Sequence, residues 1–366
     1  RAVEPVRASP RAARLASRGI SGIMAWPSGR FSVAVRALAD RCLLVGFEGT
    51  EPPEWILRAA PGLGGVVLYG QNLTGDDCVA RLTGRLRDRS EVLVAIDEEG
   101  GDVTRLHYRT GSRYPGNHVL GAADDAGLTA AVAAGIGDRL RAAGVGLDLA
   151  PDVDVNVDPD NPVIGVRSFG ADPALVSRHA AAWIGGLQGA GVAACAKHFP
   201  GHGDTRSDSH LELPVVAATE REWRAVHLPP FAAAVEAGVR SVMTAHLRLP
   251  ALADEPATMS RRILVDLLRG ELGFDGAVVT DALDMGAITR GVGAEAGAVA
   301  ALAAGADALC LGVLDAHGQY LRVRAAIRHV LSASREQGHC YLSRRQIADQ
   351  VEELLNLSLA ERIPEH

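Results

Sequence analysis

Apolar residues fall into short runs that recur along the chain from residue 43 onward. A polar or glycine-rich turn follows each run, and then a longer stretch has apolar residues at helical spacing. The pattern predicts eight strands, at 43–47, 66–69, 93–97, 146–154, 194–199, 241–246, 277–281 and 306–311. Each strand is therefore expected to be followed by a helix.

The helical spacing is clearest at 129–143, 174–188, 220–237 and 260–272, and Ser260 is a natural N-cap for the last of these. Two further helix-like stretches, 319–334 and 343–359, are expected to close or buttress the domain. Continuous apolar strands with helical crossovers are typical of parallel sheets covered on both faces. A doubly wound open sheet uses the same unit, but eight strands favour a (β/α)8 barrel of the TIM type, forming a single catalytic domain.

Polar residues end or directly follow five of the predicted strands. The carboxyl ends of the strands meet at one face of such a barrel, and that face carries the active site. Any one polar residue at a strand end could equally be a helix cap. The five ends that converge are Asp97, Asp152, Lys197 with His198, His246 and Asp281.

Composition narrows the class of protein. With 366 residues, 48% of them hydrophobic, the chain can bury a sizeable core, and we place the domain at 37–362. Residues 1–36 hold seven arginines and one acid, and are interpreted as a disordered or appended segment, the alternative being a targeting peptide. The net charge of -7 argues against a nucleic-acid partner, and no apolar run is long enough to span a bilayer.

The five cysteines are widely spaced and include no CxxC pair. They indicate neither a disulfide framework nor a zinc ribbon, so a reducing compartment is the simplest interpretation. We therefore expect a cytoplasmic protein that needs no cofactor and no metal, with secretion left open.

The segment 197–210 concentrates candidate chemistry. Of the 37 basic residues only Lys197 is a lysine, which suggests a position that needs a compact ammonium group. Gly201 and Gly203 permit tight turns in the loop that follows. Asp208 and His210 lie two apart, so in an extended segment the carboxylate can orient the imidazole for acid/base work. A solvent-facing loop with incidental polar residues is the alternative.

The seventh predicted strand ends at Asp281, and Asp284 follows three residues later. Asp281 could attack an anomeric carbon or could cap a helix. Asp284 is expected to begin the next helix, as a cap or as an acid of its first turn.

Four blocks of the sequence resemble glycoside hydrolase family 3, specifically its β-N-acetylhexosaminidase branch. They are IDEEGGDVTRL at 96–106, LAPDVDVNVDPDNPVIGVRSFG at 149–170, KHFPGHGDTRSDSH at 197–210 and LGFDGAVVTDALDM at 272–285. The third block selects the branch, because the β-glucosidases of the family differ there. The resemblance implies a nucleophile at Asp281 and a general acid/base at His210, oriented by Asp208. It also implies sugar contacts from Asp97, Arg105, Arg167, Lys197 and His198.

The implied reaction is retaining hydrolysis of terminal β-linked N-acetylhexosamine, chiefly N-acetylglucosamine, through a covalent glycosyl-enzyme. The partner is a small carbohydrate, which could be a cell-wall muropeptide, a chitin oligosaccharide or another glycan. One alternative is a phosphorylase, because a histidine does not repel an incoming phosphate as a carboxylate would. A metal-dependent barrel hydrolase, prompted by His198, His202, Asp204 and His210, is the alternative from another class.

Overall fold

The structure is a computed structural model that describes residues 38–336, apart from residues 76 and 314. Within them eight strands form one parallel sheet in the order β7-β6-β5-β4-β3-β2-β1-β8. The strands are β1 (Leu43–Val45), β2 (Gly65–Leu68), β3 (Val94–Ile96), β4 (Leu147–Asp148), β5 (Ala193–Phe199), β6 (Ser241–Thr244), β7 (Ala277–Thr280) and β8 (Leu309–Leu311). A bridge between Val279 and Ala308 joins the two ends, so the sheet is a nearly closed barrel. The predicted (β/α)8 fold is confirmed.

Helices follow the strands and surround the barrel. They are α1 (Glu54–Ala59), α2 (Cys78–Arg87), α3 (Asn117–Ala123), α4 (Ala126–Ala142), α5 (Pro173–Gly189), α6 (Glu220–Val226), α7 (Leu228–Glu236), α8 (Arg262–Glu271, with π-type bonding), α9 (Gly286–Thr289), α10 (Ala294–Ala304) and α11 (Ala316–Glu336). Short 3-10 turns lie at Gly70–Asn72, Gly165–Arg167 and Ala257–Met259. In the described part of the chain no helix has the length and apolar character needed to cross a membrane.

Side chains that alternate along each strand build two apolar layers. Leu43 and Val45 of β1 pack outward against the helices, whereas Leu44 between them points into the barrel. The inner layer also contains residues of other strands, among them Val67, Ala95, Leu147, Cys195, Met243, Val279 and Cys310. The barrel is therefore a packed core, and its polar chemistry is confined to its end.

Local signals explain where several helices begin. The carboxylate of Asp125 accepts a hydrogen bond from Leu128 N–H at the start of α4. Asp172 does the same for α5, whose first position is a proline. Thr219 and Glu222 form a reciprocal capping box at α6. These caps satisfy backbone donors that have no partner inside a helix.

The single helix predicted at 220–237 is wrong, because the structure has two helices that meet at His227. Pro229 and Pro230 follow this residue, and proline lacks the N–H that would continue the preceding helix.

The expected role of Ser260 is also wrong. Helix α8 begins at Arg262, and Ser260 Oγ makes no hydrogen bond among the described residues.

The fourth strand is much shorter than the predicted 146–154. Only Leu147–Asp148 pairs as a regular strand, and Pro151 cannot donate to a ladder. The segment still runs beside β5, because Lys197 N–H donates to Pro151 O and Val153 N–H donates to Lys197 O. Residues 149–154 therefore remain at the end of the barrel, where they bring their acids next to β5.

The predicted helix 319–334 lies within α11. The segments 1–36 and 343–359 lie outside the described residues, and their predictions stay predictions.

Candidate active site

The predicted site residues gather at the carboxyl end of the barrel. Asp97 follows β3, Lys197 and His198 belong to β5, and Asp281 follows β7. The structure brings Asp97, Arg105, Arg167, Lys197 and His198 into one hydrogen-bonded network. This network forms one side of the site.

Lys197 lies at the centre of the network and its side chain is only 2% exposed. Its Nζ donates to Asp97 Oδ1 at 2.9 Å and lies 2.6 Å from Glu99 Oε1. Burial lowers the pKa of Lys197, but the two carboxylates outweigh that effect and leave the pKa raised. The lysine is therefore charged, and it balances two acids in a place with little water.

Arg167 is the last residue of the 3-10 turn Gly165–Arg167 and forms a bidentate pair with Glu99. Its Nε and Nη2 donate to the two carboxylate oxygens at 3.0 and 2.8 Å. Asn117 holds the backbone of Arg167 by donating to its carbonyl at 2.7 Å. Burial raises the pKa of Glu99, but Arg167 and Lys197 bring it below its usual value. Glu99 thus links the two cations and fixes the planar guanidinium.

Arg105 reaches Asp97 because its loop is anchored from inside. Arg105 Nη2 lies 3.4 Å from Asp97 Oδ2. The buried carboxylate of Glu98 accepts from Thr104 Oγ1 and from the N–H groups of Arg105 and Leu106. Burial would raise the pKa of Asp97, but Lys197 and Arg105 keep it below the usual value. Asp97 is consequently a charged acceptor at the mouth of the barrel.

His198 is buried and neutral. Its Nδ1 lies 2.8 Å from Asp154 Oδ2, and its Nε2 lies 3.4 Å from Arg167 Nη2. Because a guanidinium can only donate, the proton is assigned to Nδ1, and Nε2 remains an acceptor. Burial, followed by the charge of Arg167, lowers the pKa of His198 to about 4.

Asp154 connects His198 to the loop that follows β5. Its second oxygen accepts from His202 N–H at 2.6 Å. Asp152 lies two residues before it, and burial together with the charge of Asp154 raises the pKa of Asp152 to about 7. These two acids set the surroundings of His198 without being exposed themselves.

Asp281 follows β7 and is held in an ionised state. Its Oδ1 accepts from Ala282 N–H at 2.7 Å. Burial raises its pKa, but His246, His198 and this N–H outweigh the burial, so the pKa of Asp281 lies below the usual value. His246 also fixes the backbone here, since its Nε2 lies 3.1 Å from Ala282 O. A carboxylate in this state can act as a nucleophile.

Asp208 and His210 form a pair on the loop after β5. Asp208 Oδ1 lies 2.7 Å from His210 Nδ1 and also accepts from His210 N–H at 2.8 Å. Burial raises the pKa of Asp208, but the hydrogen bonds from His210 outweigh it and leave the pKa lowered. The imidazole is 65% exposed, in contrast to the buried network around Lys197. Its Nε2 is thus the nitrogen directed away from Asp208.

Asp284 does not begin a helix as expected. Helix α9 starts at Gly286 with Met285 as its N-cap. The carboxylate of Asp284 lies so close to Gly312 that a Cβ there would come within 2.0 Å of it. The side chain therefore packs against the loop after β8.

The ligand set suggested for a metal, namely His198, His202, Asp204 and His210, is not brought together. The described residues contain a different candidate group, Asp152, Asp154 and His198, whose ligand atoms lie within 4.8 Å of one another. Arg167 Nη2 lies 3.6 Å from Asp152 Oδ2. Because this guanidinium already neutralises negative charge there, the group is better suited to an ion-pair network than to a cation.

Sequence reasoning missed Glu98, Glu99 and Asp154. Glu98 and Glu99 directly follow Asp97, so proximity to a strand end was the available signal. Asp154 lies two residues after Asp152, and this spacing places both side chains on one side of an extended segment. Neither signal distinguishes a buried network from surface acids.

Comparison with known proteins shows the family to which the chain belongs. The model of the glycosyl hydrolase family 3 N terminal domain matches residues 49–357. Beta-hexosaminidase A of Pseudoalteromonas piscicida is 38% identical over 265 residues, which are 66% of this chain and 44% of that protein. Beta-hexosaminidase of Stenotrophomonas maltophilia (strain R551-3) is 37% identical over 278 residues, 72% of this chain and 81% of that protein.

A similar solved structure is a glycoside hydrolase family 3 beta-N-acetylglucosaminidase from Paenibacillus sp. str. FPU-7. It has a TM-score of 0.79 and 38% identity, and the match covers 90% of this chain and 63% of that one. The chain therefore spans less than two thirds of this protein and of the Pseudoalteromonas enzyme.

The charge balance around Lys197 makes a prediction about stability. Replacing Lys197 by Met leaves Asp97 and Glu99 buried without their shared cation, so we expect a loss of about 3–5 kcal/mol in the free energy of unfolding. The measurement is urea unfolding followed by circular dichroism.

The matched control is Arg58→Met, which removes an ion pair with Glu54 whose side chains are 74% and 58% exposed. It should cost less than about 1 kcal/mol. Equal small losses in both variants would contradict the assigned balance.

Proposed function

The chain belongs to glycosyl hydrolase family 3, and we propose that it is a retaining β-N-acetylhexosaminidase. Its substrate is a glycoside with terminal β-linked N-acetylglucosamine. The relatives named beta-hexosaminidase support the sugar, and the related beta-N-acetylglucosaminidase structure supports it independently.

The observation that carries the mechanism is the contact of 2.7 Å between Asp208 Oδ1 and His210 Nδ1. The carboxylate holds the proton on Nδ1, so that Nε2 exchanges a proton with the substrate. Asp208 also stabilises the imidazolium that must exist before this proton is given away. Asp281 supplies the ionised carboxylate that a retaining reaction requires.

In the first step Asp281 attacks the anomeric carbon, and the bond from that carbon to the leaving oxygen breaks. His210 donates its Nε2 proton to the departing oxygen. The transition state resembles an oxocarbenium ion, and its positive charge lies near the Asp281 carboxylate. The products of this step are a covalent glycosyl-enzyme and the released alcohol.

In the second step water attacks the same carbon and displaces Asp281. His210, now neutral, accepts a proton from this water at Nε2. Two displacements on opposite faces return the anomeric carbon to its β configuration, and both side chains recover their starting charges.

The sugar is bound by polar groups. Asp97 and the neutral His198 offer acceptors to the hydroxyls, while Arg105, Arg167 and Lys197 offer donors. Their mutual hydrogen bonds fix these groups before substrate arrives, so little conformational entropy is lost on binding. Aromatic residues are 4% of the chain, which leaves little scope for stacking. We further propose that the natural substrate is a chitin oligosaccharide or a muropeptide.

A panel of p-nitrophenyl β-glycosides tests the proposed substrate and acceptor together. We expect the N-acetylglucosaminide to be cleaved at least about tenfold faster, in kcat/KM, than the glucoside, because site groups that hydrogen-bond the acetamido group are left unpaired when a hydroxyl replaces it. Each assay is run with and without inorganic phosphate, and the products are separated by chromatography. Preferred cleavage of the glucoside would refute the sugar, and accumulation of sugar 1-phosphate would replace hydrolysis by phosphorolysis.

The acid role of His210 predicts a dependence on the leaving group. His210→Ala should lower kcat/KM by roughly 100-fold or more for chitobiose, whose leaving alcohol needs a proton. The loss should be less than about tenfold for a dinitrophenyl glycoside, because its dinitrophenolate leaving group departs without needing a proton. Steady-state kinetics on both substrates measures this, and equal losses would count against the acid role.

A further inference from the structure

The loop that carries Asp208 and His210 is tied to the segment that carries the proposed nucleophile. Gly286 N–H donates to His210 O at 3.0 Å, and Ala287 N–H donates to Ser209 O at 3.1 Å. Both donors lie in the first turn of α9, where a helix has no internal partners for its N–H groups. The backbone of the acid/base loop therefore completes the hydrogen bonding of a helix that begins five residues after Asp281.

Glycine at 286 is required by space. A Cβ there would lie 2.6 Å from His210 O and 2.6 Å from Leu211 O, both backbone atoms. Gly286 does not have the positive φ that otherwise favours glycine. The missing side chain is thus what allows the loop to approach α9 closely.

Ser209 anchors the same loop on its other side. It is buried between the more exposed Asp208 and His210. Its Oγ lies 3.2 Å from His202 Nε2, and His202 N–H donates to Asp154 Oδ1 at 2.6 Å. The loop is consequently held between the buried acids beside β5 and the start of α9.

The exposure of His210 makes these backbone contacts important. The ring is 65% exposed, so packing does not fix it. Its imidazole pairs with Asp208, which lies on the same loop. Its position relative to Asp281 therefore depends on where the backbone of the loop is docked.

We propose that Gly286 is a positioning residue for the reaction, and that the first turn of α9 is a dock that sets the acid/base histidine against the nucleophile. This inference rests on the proposed glycosidase function. The segment after Asp281 would then also hold His210, the residue that protonates the leaving oxygen.

Three variants test the dock. Gly286→Ala places a Cβ against the two carbonyls, and Ala287→Pro removes one donor at a helix position where proline is tolerated. Gly291→Ala is the control in the same segment, because its Cβ would meet nothing closer than 3.6 Å. All three are compared with the wild type and with His210→Ala, and circular dichroism verifies that each is folded.

Because general acid catalysis contributes about 10²–10⁴-fold, the two dock variants should lose at least about tenfold in kcat/KM on chitobiose and less than about threefold on a dinitrophenyl glycoside. The rate of fluorosugar labelling should stay near that of the wild type, since labelling with a good leaving group needs no acid. Gly291→Ala should resemble the wild type in every assay.

The outcomes separate this proposal from the function on which it rests. If His210→Ala shows the leaving-group dependence and the folded dock variants lose equally on both substrates or not at all, the dock is refuted and the function stands. If Gly286→Ala does not fold, Ala287→Pro decides in the same way. If His210→Ala itself shows no dependence, the proposed acid fails, and the dock fails with it.

Discussion

The site depends on a buried lysine shared by two carboxylates. Lys197 compensates Asp97 and Glu99 at the carboxyl end of the barrel, and Arg167 extends the pairing from Glu99. Each of these charges would be costly to bury alone, and together they form a rigid surface of alternating donors and acceptors. Such a surface suits a sugar, because hydroxyl groups can both donate and accept.

The proposed catalytic groups differ in how they are held. Asp281 is fixed by the N–H of Ala282 and by the strand that precedes it. His210 is largely exposed and takes its position from its loop, through Asp208 and through the contacts at Gly286 and Ala287. The buried, fixed groups thus serve sugar binding and nucleophilic attack, which need a preorganised site. The exposed His210 serves proton transfer, in which it is an acid in the first step and a base in the second.

The sequence predicted the barrel because apolar runs report burial directly, and comparison confirms the family that its four blocks resembled. Lys197 was identifiable as the single lysine, whereas its partner Glu99 was missed because charge pairing is a tertiary property. The break at His227 could have been read from Pro229 and Pro230. The approach of the His210 loop to Gly286 could not be read from the sequence, because only the folded barrel brings these two segments together.

A retaining reaction passes through a covalent intermediate on Asp281, and peptide mapping of the trapped enzyme detects it. The protein is incubated with a fluorosugar analogue of N-acetylglucosamine that bears a good leaving group, digested, and analysed by mass spectrometry. We expect one adduct, on Asp281, and no adduct in Asp281→Asn. An adduct on another residue, or turnover with inversion at the anomeric carbon, would contradict it.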